Sequence, residues 1–406
     1  MNNNQQAFFA LVRAGLWGDL RPVPGFRFQD PCDVDWDQVL QMAMEQSVAG
    51  LAASGVEPAQ EWLGNHGYPL IPRVVVVQFA GAAQYIEQQN KDLNAFVAGL
   101  YRRLRSVGVS SLLVKGQGAA QCYERPLWRT SGDVDLLLDP TDYEKAKKEL
   151  FPIAYDIQAE DTRALHQAMM ITGFDVELHG KLLFSLSKKA NRVTEEVIHD
   201  ALKMNDSDFG EGACVWRNGD TDVYLPNPDN HVFLLFMHFL HHFFIEGVGL
   251  RQICDWCRML YTYRDSLNCG LLESRIRQAG LMSEWKAFGA MAVKYLGMNP
   301  EDVPFLGSMF KVASRPIAGA KDNDSRFDKK ADRIMELVLE SGNFGQNKDL
   351  SYRSKYTGFR YYMVSLWRRI GDFAGFVPLF PADALRFFVT YALGKVTGDN
   401  RRVDNN

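Results

Sequence analysis

The chain has 406 residues, of which 47% are hydrophobic, 12% aromatic and 23% charged, and these proportions are typical of folded globular proteins. They exclude a mainly disordered, collagen-like or coiled-coil chain. The net charge of −4 argues against bulk wrapping of nucleic acid, which needs many lysine and arginine contacts to phosphate. At roughly 150 residues per domain, the length predicts two or three domains.

Three features predict a cytoplasmic protein with no membrane partner. No stretch reaches the about 18 consecutive apolar residues of a transmembrane helix. The opening residues 1–6 lack the positive charge of a secretory signal. The six cysteines are too sparse for a disulfide scaffold and suit a reducing compartment.

Residues 1–105 are predicted to form an N-terminal helical region, because apolar residues recur there at three- and four-residue spacing. Residues 106–225 mix alternating strand patterns with short helical ones. The predicted strands are residues 110–114, 132–138 and 174–179, and the predicted helices are residues 117–123 and 142–150, the second capped by Thr141.

A hairpin and a second helical region complete the chain. Two alternating segments flank Asn218–Gly219, a dipeptide typical of a two-residue β-turn. Residues 226–406 are predicted to be helical, with a helix cap at Asn227. The sequence therefore predicts an α+β fold in which a mixed core lies between N-terminal and C-terminal helical regions.

The most informative motif is Ser131–Leu136, with the sequence Ser-Gly-Asp-Val-Asp-Leu. Because side chains alternate across a strand, Asp133 and Asp135 are expected on one face, with Val134 and Leu136 facing the core. Two carboxylates separated by a rise of about 7 Å can hold one divalent cation or a pair of them. The alternative is a strand with one solvated face.

A second acidic strand follows at residues 174–179. Asp175, Glu177 and His179 alternate there and are expected on one face. If this strand lies beside the first, Glu177 or Asp175 supplies a third carboxylate. An antiparallel strand with one polar face is the other interpretation.

A possible phosphate turn precedes both strands. After Val114 the chain runs through Lys115, Gly116 and Gln117 into a predicted helix. Backbone N–H groups at such a turn can receive phosphate, with Lys115 as a point charge. The turn matches neither common glycine-rich phosphate motif, so a plain strand–helix connection is equally open.

Several other polar clusters have more than one interpretation. The histidines of one apolar helix are candidates for packing, for metal binding or for substrate contact. Cys254 and Cys257 are candidates for the core or for a zinc or redox role, and Arg251 and Asp255 for a helical ion pair or a substrate contact. The histidines of that helix are His231, His238, His241 and His242. Residues 348–369 carry six basic residues, one acid and six aromatics, which suits either a nucleotide platform or an amphipathic helix.

The order of these motifs resembles the uncharacterised bacterial nucleotidyltransferases of the polymerase-beta-like superfamily. The resembling segments are Leu113–Gly116, Tyr123, Arg129, Gly132–Leu137, Val176–His179 and Gly249–Trp256. The resemblance covers most of the chain, but its chemically specific part is residues 112–179.

This resemblance implies a small mixed-sheet nucleotidyltransferase core that binds an NTP through two Mg²⁺ ions, for which Mn²⁺ can substitute. It implies that Asp133, Asp135 and Glu177 are the catalytic and metal-binding carboxylates. The implied nucleotide-binding residues are Lys115, Gly116, Gln117, Arg129 and Gly132, and the implied further substrate contacts are His179, Arg251 and Asp255.

The implied activity is transfer of an NMP from an NTP to an acceptor hydroxyl, with release of pyrophosphate. The acceptor is a small molecule, a sugar, a protein or an RNA end. The turn at Lys115–Gln117 lacks the Gly-Ser usual in the superfamily. The alternative is therefore a catalytically inactive nucleotide-binding or regulatory protein on the same fold. A third hypothesis is an RNA-end modifier that uses residues 348–369.

Overall fold

The structure is a computed structural model that describes residues 1–18, 33–184, 186–203, 214–306, 323–345, 347, 355 and 358–396. The N-terminal helices are α1 (Asn3–Trp17), α2 (Trp36–Glu45), α3 (Ala49–Ser54), α4 (Val56–Asn65) and α5 (Arg73–Ser106). In α1, Asn2 and Gln5 form a capping box that satisfies the first backbone donors. The long helix α5 buries residues at three- and four-residue spacing. The first half of this stripe, with Val75, Phe79 and Ile86, packs in the helical core, and the second half, from Leu93 to Leu104, packs on the sheet.

The central sheet has four strands in the order β1 (Leu112–Leu113), β2 (Val134–Leu137), β4 (Phe174–His179) and β3 (His166–Ile171). Strands β2 and β4 are parallel, whereas the two outer pairings are antiparallel. The register places Asp135 beside Glu177 and His166 beside His179. This small mixed sheet among helices confirms the predicted α+β class.

Two short helices connect these strands. The first, α6, spans Gln117–Ala120, and the second, α7, spans Pro140–Leu150. Asp139, not Thr141, caps α7, because its carboxylate accepts hydrogen bonds from the N–H groups of Thr141 and Asp142. The first helix is shorter than predicted and ends at Ala120.

Two of the predicted strands, 110–114 and 132–138, were too wide, whereas the third, 174–179, matches β4. One strand was not predicted at all. Strand β2 begins at Val134, so Asp133 precedes it instead of lying within it. The missing strand, β3, joins β4 through Thr172 and Gly173, whose φ angles are 50° and 91°. Two successive positive φ angles are typical of a type I′ hairpin turn.

The second hairpin is one residue out of the predicted register. Its strands are β5 (Cys214–Asn218) and β6 (Thr221–Leu225), and Asn218 pairs with Thr221. The turn residues are therefore Gly219 and Asp220. The Asn218 amide instead donates to the carbonyl of Asn94 on α5, at 2.7 Å, which ties the hairpin to that helix.

Helix α8 (Lys188–Lys203) precedes this hairpin, and the C-terminal helices follow it. They are α9 (Pro228–Ile245), α10 (Leu250–Tyr263), α11 (Cys269–Ala279), α12 (Met282–Leu296), α13 (Asn323–Ser341), α14 (Gly358–Phe376) and α15 (Pro381–Val396). Asn227 caps α9 as predicted. None of the helices in the described ranges is long and apolar enough to cross a membrane.

The helices from the two ends of the chain share one hydrophobic core. Phe8 and Phe9 of α1 belong to the same buried cluster as Phe288 of α12. The Trp17 indole donates a hydrogen bond to the carbonyl of Leu296, at 2.6 Å. The sheet is thus held against a single helical body, and α9 and α10 of that body lie opposite Gly132 and Asp133, which lead into β2.

Candidate active site

Three carboxylates meet at the two inner strands of the sheet. Asp133 immediately precedes β2, Asp135 lies within β2, and Glu177 lies beside Asp135 on the parallel strand β4. One oxygen of each lies within 4.8 Å of the others. Asp135 is fully buried, whereas the Asp133 and Glu177 side chains are 36% and 29% exposed. The cluster is therefore closed at its base and open to solvent on one side.

Lys115 supplies the positive charge nearest to this cluster. Its Nζ lies 2.8 Å from Asp135 Oδ1 and 3.5 Å from Asp133 Oδ2. Burial lowers the pKa of Lys115, but the surrounding carboxylates outweigh it and hold this pKa above its usual value. Gly116 follows with a φ of 54°, a conformation that favours glycine and turns the chain away from the carboxylates.

Two histidines complete the polar cluster. His179 Nε2 lies 2.8 Å from Asp135 Oδ1 and 3.3 Å from Glu177 Oε2, and His166 Nε2 lies 3.3 Å from the same Glu177 oxygen. Burial lowers the pKa of His179, but its two carboxylate partners raise it to about 9. Burial raises the pKa of Glu177, and the two imidazoles outweigh this and hold it well below its usual value.

Sequence reasoning missed His166 because it missed β3. The available signal was the pair Thr172–Gly173 between two apolar segments, a weaker hairpin signal than Asn-Gly. The register of that hairpin then places His166 directly beside His179.

A cleft opens from the carboxylates towards α9 and α10. The residues that line it are Lys115, Gly116, Arg129, Gly132 and Asp133 from the core, and Leu235, His238, Arg251, Gln252 and Asp255 from the two helices. The cleft thus contains most of the predicted nucleotide-binding and substrate-contact residues.

The wall of the cleft is a buried polar network. Asp255 accepts hydrogen bonds from Arg129 Nε and Nη2, at 3.1 and 2.6 Å, and from the Tyr123 hydroxyl, at 2.9 Å. Arg251 Nη1 donates to the carbonyls of Thr130 and Ser131. Asp255 therefore pairs with Arg129 rather than with its helical neighbour Arg251, and the network ties residues 129–133 to α10.

Some donors of this wall have no partner. Arg129 Nη1 and Arg251 Nε are buried and make no hydrogen bond within the described part of the chain. Guanidinium N–H groups bind phosphate and carboxylate oxygens well. The two groups are therefore available to an anionic ligand in the cleft.

Other residues highlighted by the sequence lie elsewhere. The Gln117 side chain is buried and donates to Asn94 on α5, and Asp175 is exposed outside the carboxylate cluster. His231 is buried, and its Nε2 is hydrogen-bonded to the carbonyl of Val114, the residue that follows β1. Cys254 and Cys257 of α10 lie in the hydrophobic core, and burial raises the pKa of both thiols.

The basic aromatic stretch is only partly described. Residues 348–354, 356 and 357 lie outside the described residues. Lys355, Arg360 and Arg368 are exposed, and the Trp367 side chain is 67% exposed. These three basic side chains are therefore on the surface of α14 and just before it.

The carboxylate cluster has the chemistry of a divalent-cation site. Asp135 Oδ2 is buried and has no hydrogen-bond partner among the described residues. A buried carboxylate oxygen without a partner is costly unless a ligand or ion satisfies it. The three carboxylates also supply the oxygen ligands that Mg²⁺ prefers. The residues present therefore fit a bound Mg²⁺.

Comparison with protein families agrees with this geometry. A family model described as an uncharacterised nucleotidyltransferase matches residues 33–297, which include the whole sheet, α9, α10 and the cleft. Comparisons with curated proteins and with solved structures gave no match. The matched region is well over half of the chain, and the chain therefore belongs to this uncharacterised nucleotidyltransferase family.

Proposed function

We propose that the protein transfers an NMP from an NTP to an acceptor hydroxyl, with release of pyrophosphate, at the cluster of Asp133, Asp135 and Glu177. The observation that carries this proposal is the convergence of three carboxylates, including the unpartnered Asp135 Oδ2, at the mouth of a cleft that contains cationic side chains. Family membership supports the general class of reaction.

Asp133, Asp135 and Glu177 would hold the Mg²⁺ ions, of which we expect two. When bound, such ions offset the charge of the triphosphate and help the acceptor hydroxyl to lose its proton. We assign the Glu177 carboxylate to metal binding, because one of its oxygens lies within 4.8 Å of an oxygen of Asp133 and of Asp135.

The protein's cations would bind and orient the triphosphate. Lys115 lies beside the carboxylates and offers a mobile ammonium group. Arg129 and Arg251 are held by other hydrogen bonds, whereas Arg129 Nη1 and Arg251 Nε make none with the residues that the structure describes. Gly116 and Gly132 also line the cleft, and because they have no side chain they leave room for a phosphate group. The triphosphate would accordingly lie along residues 115–132.

The acceptor would enter from the helical side of the cleft. His238, Leu235 and Gln252 line that side and offer both polar and apolar contacts. Burial and the nearby Lys115 charge hold the pKa of His238 well below its usual value. His238 is therefore neutral at physiological pH and can exchange hydrogen bonds with an acceptor hydroxyl.

The test is a screen of the labelled NTPs with Mg²⁺ or Mn²⁺, with label followed on the protein and on added acceptors and with pyrophosphate measured. Asp133→Asn with Asp135→Asn should reduce transfer at least about a hundredfold, because it removes the ligands of ions that stabilise charge in the transition state. Asp175→Asn, on the same face of the sheet but outside the cluster, is the matched control. Equal transfer by the double variant and the control would contradict the proposal.

A nucleotide-binding protein without transferase activity is the second candidate, because the turn at Lys115–Gln117 has no serine to contact phosphate. Calorimetric titration with each NTP and Mg²⁺ separates the two candidates. Binding without pyrophosphate release in the presence of acceptors would favour the second.

A further inference from the structure

A second set of metal-ligating atoms overlaps the carboxylate cluster. The Nε2 atoms of His166 and His179 each lie 3.3 Å from Glu177 Oε2. One ligand atom from each of these three side chains lies within 4.8 Å of the others. The two imidazole rings stack with centroids 4.9 Å apart, because β3 and β4 place them directly beside each other.

The surroundings of these two ring nitrogens indicate a metal site rather than a simple hydrogen-bond network. His166 Nε2 is buried, yet nothing in the described ranges meets it with hydrogen-bond geometry. His179 Nε2 points at two carboxylate oxygens at once, although a ring nitrogen carries at most one proton. A cation among these atoms would satisfy both nitrogens and the shared oxygen together.

The chemistry of this set differs from that of the three carboxylates. Two imidazole nitrogens and one carboxylate oxygen suit Zn²⁺ and similar transition-metal ions, whereas Mg²⁺ prefers oxygen ligands. Three protein ligands also leave one position open, as in catalytic rather than structural zinc sites. The two sets share only Glu177.

We propose that His166, Glu177 and His179 form a second metal site that selects a nitrogen-preferring divalent cation over Mg²⁺. Glu177 then bridges two chemically different ions, one held by the aspartates and one held by the histidines. The proposal concerns metal binding and does not depend on nucleotidyl transfer.

The test is calorimetric titration of the metal-free full-length protein with Zn²⁺ in excess Mg²⁺. The wild type should bind Zn²⁺, and His166→Gln should weaken this binding at least about tenfold, because loss even of an outer-shell partner costs that much in other sites. The matched control is His66→Gln, since His66 is an exposed histidine just after the end of α4. Equal Zn²⁺ affinity of His166→Gln and the control would overturn the proposal.

Two further measurements identify the zinc ligands and separate this proposal from the proposed transfer reaction. X-ray absorption of the zinc-loaded wild type should show two imidazole nitrogens and no sulfur, and it does not depend on how a variant folds. A sulfur ligand would place the zinc at a cysteine and overturn the proposal. Asp133→Asn should lose Mg²⁺-dependent transfer but keep Zn²⁺ binding, so a failure of one proposal is distinguishable from a failure of the other.

Discussion

The ammonium group of Lys115 lies within 3.5 Å of both aspartates of the cluster and occupies the approach of a metal ion to them. A buried charge is costly without a partner of opposite sign. In the absence of an ion, Lys115 therefore neutralises Asp135. A bound ion would compete with Lys115 for these oxygens, and we expect the displaced ammonium group to be available to phosphate.

Lys115→Met should therefore tighten Mg²⁺ binding in the absence of nucleotide by about tenfold or more, because removal of a competing charge at this distance is worth well over the 1.4 kcal/mol that a factor of ten requires. It should weaken NTP binding, because a phosphate partner is lost. Calorimetric titration with Mg²⁺ and then with NTP measures both effects. Lys188→Met, an exposed lysine at the start of α8, is the control. Weaker Mg²⁺ binding by Lys115→Met would contradict this account.

Single residues also differ in how visible they were to sequence reasoning. Asp133, Asp135 and Glu177 were found because alternation along a strand predicts which side chains share a face. The Gln117 side chain faces α5, a direction that sequence reasoning did not predict, and its contact with nucleotide stays a prediction. Its direction depends on how tightly α6 turns, and residue type alone does not determine that.

Among the elements, α10 has the most direct effect on the site. Asp255 of this helix holds Arg129, and Arg251 holds two carbonyls of the segment that leads to Asp133. The Arg129–Asp255 bond is buried and the two Arg251 bonds are partly buried, so solvent weakens the first least. The position of Asp133, which lies outside β2, therefore depends on α10.

Asp255→Asn should destabilise the protein by about 3–5 kcal/mol, because it leaves the buried Arg129 guanidinium without its counter-ion. The free energy of unfolding in urea measures this. Asp200→Asn is the control. Asp200 pairs with Arg275, but its side chain is 45% exposed, so the substitution should cost less than about 1 kcal/mol of folding free energy. Similar losses in the two variants would argue against the structural role of Asp255.

Whole-molecule stability depends on the core shared by the helical regions, and this core contains an acid. Glu284 on α12 is fully buried. Burial, and then the nearby Asp383 of α15, raise the pKa of Glu284 well above its usual value, and Lys330 of α13 opposes this only in part. Asp383 is itself paired with Arg386, at 2.9 Å. Glu284 is therefore protonated in the folded protein over a range in which it is ionised in the unfolded chain.

The folded state thus binds an extra proton, and Glu284 lowers stability as pH rises from its unfolded pKa through its raised folded pKa. Glu284→Gln is neutral at every pH and should remove this loss. Urea unfolding at about pH 5 and about pH 8 should show the variant gaining on the wild type at the higher pH. Glu301→Gln, at an exposed site, should track the wild type. An unchanged difference between the variant and the wild type at the two pH values would refute the assignment.

The sequence by itself determined the α+β class, the helical nature of both ends and the carboxylates of β2 and β4, because hydrophobic period and strand alternation are local properties. Its strand boundaries were less accurate, because a strand ends where its partner ends. Only the tertiary structure decided that β3 brings His166 to His179, that Asp255 pairs with Arg129 rather than with Arg251, and that the two helical regions share one core. Each of these is a contact between residues that are distant in the chain or on different elements, and such contacts depend on register and packing rather than on local pattern.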